Sequence, residues 1–156
     1  MKKPVAALLL LISSISYGQI TRNVKIANRA MGHDKLSALY KYDRNNNLKD
    51  IQVLYLGIDD RYQQVEIFKY DTIFVGSPRE FIGHLNQIIS FFEKNEPEVS
   101  TQINDHTVVV TKHVGVKALY LYDDKGEAFS IVRINMIRRM KNDVIEWANE
   151  AGIEYM

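Results

Sequence analysis

Apolar and polar residues alternate through KLSALYKYDRNNNLKDIQVLYLG (35–57), broken only by an Asn-rich stretch. Period-two alternation puts one set of side chains on each face of a strand. Asn and Asp tolerate the left-handed backbone of tight turns, so the segment predicts a β-hairpin. RYQQVEIFKYDTIFVG (61–76) is rich in β-branched and aromatic residues and ends at Gly76, which predicts a third strand. The period then changes. In SPREFIGHLNQIISFFEKNEP (77–97), Phe81, Ile82, Leu85, Ile88, Ile89 and Phe92 gather on one helical stripe. Ser77 and Glu80 have the spacing of a capping box, Pro78 suits the first helical position, and Pro97 stands beyond the expected end. After a polar connection, HTVVVTKHVGV (106–116) predicts a strand, and KALYLYDDKGEAFSIVRI (117–134) a second hairpin with Gly126 in its turn. NMIRRMKNDVIEWANEAG (135–152) predicts a closing helix ended by Gly152. Residues 19–34 fit a short strand or a frayed helix equally well.

Strands, helix, strands, helix in that order, with short turns between strands, predict an α+β domain. We expect a mostly antiparallel sheet of about five to seven strands with both helices packed on one face. The two greasiest surfaces should form the core, with Phe81, Leu85, Ile88 and Phe92 against Leu119, Leu121, Phe129 and Ile131.

The start of the chain has a different pattern. Lys2 and Lys3 precede the apolar run Val5–Ile12, and the small, polar segment Ser13–Gly18 follows. Basic start, short apolar middle and small-residue exit predict a secretory signal over 1–18, cut between Gly18 and Gln19. A membrane-spanning helix needs roughly 20 apolar residues, so this run is read as an address and no anchor is expected after cleavage. The expected location is periplasmic or extracellular.

Removing residues 1–18 leaves 138 of the 156 residues, which suits a single domain over 19–156. The leader takes with it two of the 20 Lys+Arg and none of the 19 Asp+Glu, so the mature chain carries −1. Near-neutrality argues against a phosphate-binding surface and hence against nucleic acid as a partner. The chain has no cysteine. Stability therefore rests on core burial, and thiol nucleophiles, Fe–S clusters and thiolate zinc sites are excluded.

Ala-Leu-Tyr-x-Tyr-Asp occurs at Ala38 and again at Ala118, each time before a turn. A duplicated strand–helix unit explains this; so does convergence on what hairpins select anyway. Three-residue turns would set Tyr42 opposite Leu48, Tyr40 opposite Asp50 and Leu39 opposite Ile51 in the first hairpin. In the second they would set Tyr122 opposite Ala128, Leu121 opposite Phe129 and Leu119 opposite Ile131. Leucines would then face the core and tyrosines the other side. Tyr40, Tyr42, Tyr120 and Tyr122 are the candidate binding residues, since flat rings with a hydroxyl tip suit contacts with partner side chains or sugars.

No catalytic constellation stands out. His33, His84, His106 and His113 are dispersed, and His106 and His113 are an odd number of positions apart, which sends them to opposite faces of one strand. DRNNNL at Asp43 imitates the start of a calcium loop, but Leu48 and Leu54 stand where glycine and the terminal acid are required, so it reads as a turn. Asp59-Asp60 and Asp123-Asp124 also read as turns, and Arg138 to Lys141 as a solvated helix face. No catalytic residue, metal ligand or cofactor is assigned. The leading functional reading is a non-enzymatic module that binds a partner protein or a small envelope ligand on its sheet surface. The alternative is a small envelope hydrolase whose site is assembled from distant strands. A deep pocket lined by a histidine and a carboxylate would favour the hydrolase; a flat aromatic sheet would favour binding.

Overall fold

The computed structural model describes residues 19–26, 34–58 and 69–156, apart from Asp124 and Ala128. The expected leader, His33, Asp59-Asp60, the first part of the predicted third strand and the core role of the Phe129 side chain lie outside the described residues. The elements are β1 (Ile20–Lys25), β2 (Lys35–Tyr42), β3 (Leu48–Ile58), β4 (Tyr70–Gly76), α1 (Pro78–Lys94), β5 (Val99–Ile103), β6 (His106–His113), β7 (Val116–Tyr122), β8 (Phe129–Val132) and α2 (Ile134–Ala151). Instead of one sheet of five to seven strands, the described residues form two antiparallel sheets of four, β1-β2-β3-β4 and β5-β6-β7-β8. Both extra strands come from weakly patterned sequence. β1 is exposed along its whole length and shows no apolar alternation, while β5 is the segment read as a polar connection.

Four strands and a helix thus occur twice in succession. The Ala-Leu-Tyr-x-Tyr-Asp similarity does not mark this repeat, because it falls on the second strand of the first sheet and the third of the second. It also presents opposite faces. In β2 the buried Leu36 and Ala38 share their side with Tyr40 and Tyr42; in β7 the buried Leu119 and Leu121 lie opposite Tyr120 and Tyr122.

The pairing registers also depart from those expected of three-residue turns. Tyr42 does pair with Leu48, but a bulge between Lys41 and Tyr42 shifts the rest, so Tyr40 pairs with Ile51 and Leu39 with Gln52. In the second hairpin the Asp123 carbonyl accepts from Gly126 N (3.1 Å) and its carboxylate from Glu127 N (2.9 Å), and this wider turn pairs Tyr122 with Phe129 and Leu119 with Val132. A one-residue slip turns every side chain of a strand over. Val132 therefore fills the core place expected of Ile131, which is only partly buried.

One apolar core unites both sheets and both helices, including Tyr55 and Phe74 of the first sheet, Phe81, Leu85 and Ile88 of α1, Leu119 and Leu121 of β7, and Met140 and Val144 of α2. Phe92 packs on its margin rather than inside it. There Lys117 lies 4.4 Å from the centre of the Phe92 ring and donates to the Phe92 carbonyl (2.8 Å), satisfying an acceptor in the last turn of α1 with a positive charge where the helix dipole favours one. The capping box of α1 forms as its sequence dictates. α2 ends at Gly152 in the left-handed conformation, φ 67°. The two sheets meet at Gly57, where a Cβ would come within 2.7 Å of Ile73 Cγ1 and 2.9 Å of Ser130 Cβ. Only glycine allows that approach. No helix among the described residues is long and apolar enough to cross a membrane.

Candidate functional site

The β5–β6 connection is a two-residue turn in which Asn104 (φ 49°) and Asp105 (φ 66°) both take the left-handed conformation. Two successive positive φ angles match the twist of the flanking strands, and Asn and Asp tolerate them best after glycine. The turn fixes His106 at the start of β6, on the same side as the buried Val108 and Val110. From α1, His84 follows Phe81 by one helical turn and points into the same space. The two imidazole centres are 5.7 Å apart, edge to face. Phe74 of β4 stacks obliquely on His84 at 5.1 Å.

Together these elements enclose an open cleft of about 540 Å³, lined by Phe74 and Val75 of β4, Glu80, Gly83, His84 and Gln87 of α1, and Asn104, Asp105 and His106. The protonation of its deepest group follows from geometry. His84 is 2% exposed, and its Nδ1 lies 3.2 Å from the Asn104 amide nitrogen. An amide nitrogen only donates, so Nδ1 accepts and the proton of the neutral ring sits on Nε2. Burial, reinforced by the neighbouring His106, pushes the His84 pKa down to about 4, so the ring is neutral at pH 7. The Glu80 carboxyl is held below its ordinary value because the Ser77 backbone N–H and hydroxyl donate to it. His106 Nδ1 is buried without a hydrogen-bond partner. Among the described residues, no three or more His, Asp or Glu come together as a metal would require.

Sequence reasoning missed this site. His84 stands beside the apolar stripe and His106 at a strand end, 22 positions apart, so no local spacing links them. The usable signal was Asn104-Asp105 between two short β-compatible runs, which marks a hairpin that brings His106 back toward α1.

The predicted tyrosines are divided between two sheets, Tyr40 and Tyr42 on β2 of the first and Tyr120 and Tyr122 on β7 of the second. Tyr40 meets Trp147 of α2 edge-on at 6.3 Å, and Tyr42 lies under the Arg22 guanidinium at 5.0 Å. Tyr120 and Tyr122 pair with Ile131 and Phe129 across β7 and β8. The Asp43 segment is built as a turn: its carboxylate accepts from Asn45 N, Asn47 N and Asn47 Nδ2 and faces Lys49 at 3.2 Å. Its pKa falls to about 2, chiefly through the Asn47 backbone bond. No family model matches the chain, and neither a curated protein nor a solved structure matches it.

Proposed function

We propose that the protein is exported and works as a binding domain, holding a small polar ligand in the cleft between α1 and the β5–β6 turn. Gly83 carries this reading. It sits inside α1, where glycine costs roughly 1 kcal/mol relative to alanine. A Cβ there would meet nothing within 4 Å, so packing gives no reason for the glycine. Keeping the cleft open does, because Gly83 is part of its lining.

The expected result is that Gly83→Ala raises stability in urea melts by about 0.5–1 kcal/mol. Gly83→Leu, which fills the mouth, should abolish the response of His84 and His106 side-chain NMR signals to the low-molecular-mass fraction of envelope extract. Exposed His113 serves as the internal control. A loss of stability in Gly83→Ala would mean that packing needs the glycine after all, and the argument would fail.

Hydrolysis is the second reading: two imidazoles lining one cleft with Glu80 and Asp105 meet the histidine-and-carboxylate condition that favours it. It is weakened by the near-complete burial of His84 and by a lining that offers no hydroxyl or thiol. Tyr120 and Tyr122, opposite the core leucines of β7, are proposed as a further contact for a partner protein. Export rests on the charge, apolar and small-residue order of residues 1–18. Protein recovered from the cell envelope should have the intact mass of residues 19–156; a mass that includes Met1–Gly18 rejects export with cleavage.

A further inference from the structure

Resting on the cleft as the binding site, we infer that its ligand is a small organic cation, a primary ammonium group on a short apolar stem. The fixed charges of the lining are the carboxylates of Glu80 and Asp105, with no Lys or Arg among them. Both histidines could in principle offset that charge. His84 does not, because burial keeps it neutral through the physiological range. The Glu80 carboxylate stays ionised, since Ser77 N donates to it at 2.8 Å within the capping box. An anion would thus meet two like charges in a partly enclosed space, where water screens them less than on an open surface. The apolar part of the site is equally defined. Val75 is 51% exposed on β4, and both Val75 and Phe74 border the cleft. A bare inorganic cation would leave that wall wet, whereas an alkylammonium covers it.

Three probes with one carbon skeleton separate charge from shape: pentylamine, pentanol and pentanoate, titrated into the full mature chain while the His84 and His106 ring signals are followed. Pentylamine should bind most tightly, pentanol at least about fivefold more weakly, and pentanoate not measurably. Asp105→Asn, and Glu80→Gln, which can still complete the capping box, should each weaken pentylamine about two- to fivefold and leave pentanol unchanged. Raising salt should weaken pentylamine only. Equal binding of amine and alcohol, or tighter binding of pentanoate, overturns the cation inference while leaving the cleft as a binding site. Failure of all three to move either imidazole overturns the cleft itself.

Discussion

Asp34→Ala should be the most destabilising single substitution at a polar position, costing about 3 kcal/mol or more. The Asp34 carboxylate precedes β2 and accepts from Tyr55 Oη at 2.5 Å, from Ile58 N at 2.9 Å and from Ser130 Oγ at 3.2 Å. Tyr55 and Ile58 belong to the first sheet and Ser130 to the second, so one side chain joins the two beside the close approach at Gly57. Tyr55 and Ser130 are each 1% exposed, so without Asp34 two hydroxyls lose a buried acceptor at about 1–3 kcal/mol each. For a domain stable by about 5–15 kcal/mol, that is a large fraction. Urea melts give the cost, and a double-mutant cycle identifies its origin. Once Asp34 is alanine, Tyr55→Phe should cost little or nothing, because the hydroxyl it removes no longer has that acceptor. A coupling of at least about 1 kcal/mol is expected. Additive effects within about 0.5 kcal/mol would mean that the carboxylate does not hold the two sheets together.

This junction could not have been read from the chain, for a definite reason. Asp34 and Ser130 come together only when the two sheets do, and nothing near either residue announces its partner. Short-range features fared better. The capping residues Ser77, Pro78 and Glu80, the stripe from Phe81 to Ile88 and the terminal Gly152 each act within one or two helical turns, and all stand where the sequence places them. Strand faces were harder. The pairing of Tyr42 with Leu48 was legible because it lies beside its turn, yet a bulge one residue further on sent the remaining pairs into another register. In β2 the core side is set by Leu36 and Ala38 packing with Tyr55 and Val53, whereas Leu39, the residue expected to face the core, is only half-buried. The cleft combines both difficulties. It needs an unrecognised strand, β5, an unrecognised turn at Asn104-Asp105, and a contact between a helix and a strand end.

The cleft also makes stability depend on pH, with His84 as the group responsible. An unfolded chain protonates this ring at an ordinary pKa near 6.5, but the folded chain resists until about pH 4, because burial among Phe74, His106 and Asn104 penalises the charged form. Between those values the unfolded state binds more protons, so acid favours unfolding. The stabilisation is complete above about pH 6.5, is lost as pH falls toward 4 and changes no further below that. A difference of this size corresponds to about 3 kcal/mol, at 1.36 kcal/mol per pH unit. Carboxylates titrate over the lower part of the same range, so wild type alone cannot assign the loss. His84→Gln can, because every other group remains in both proteins and cancels in the comparison. The variant should be less stable than wild type at pH 7, where it lacks the packed ring. It should narrow the gap by about 3 kcal/mol at pH 4, where wild type has lost the advantage of a neutral imidazole. Urea midpoints measured at half-unit steps from pH 7.5 to 3.5 give both curves. If they run parallel, His84 takes up its proton equally well folded and unfolded, its ring is not held in an apolar setting, and the cleft lacks the neutral floor on which selection of a cation depends.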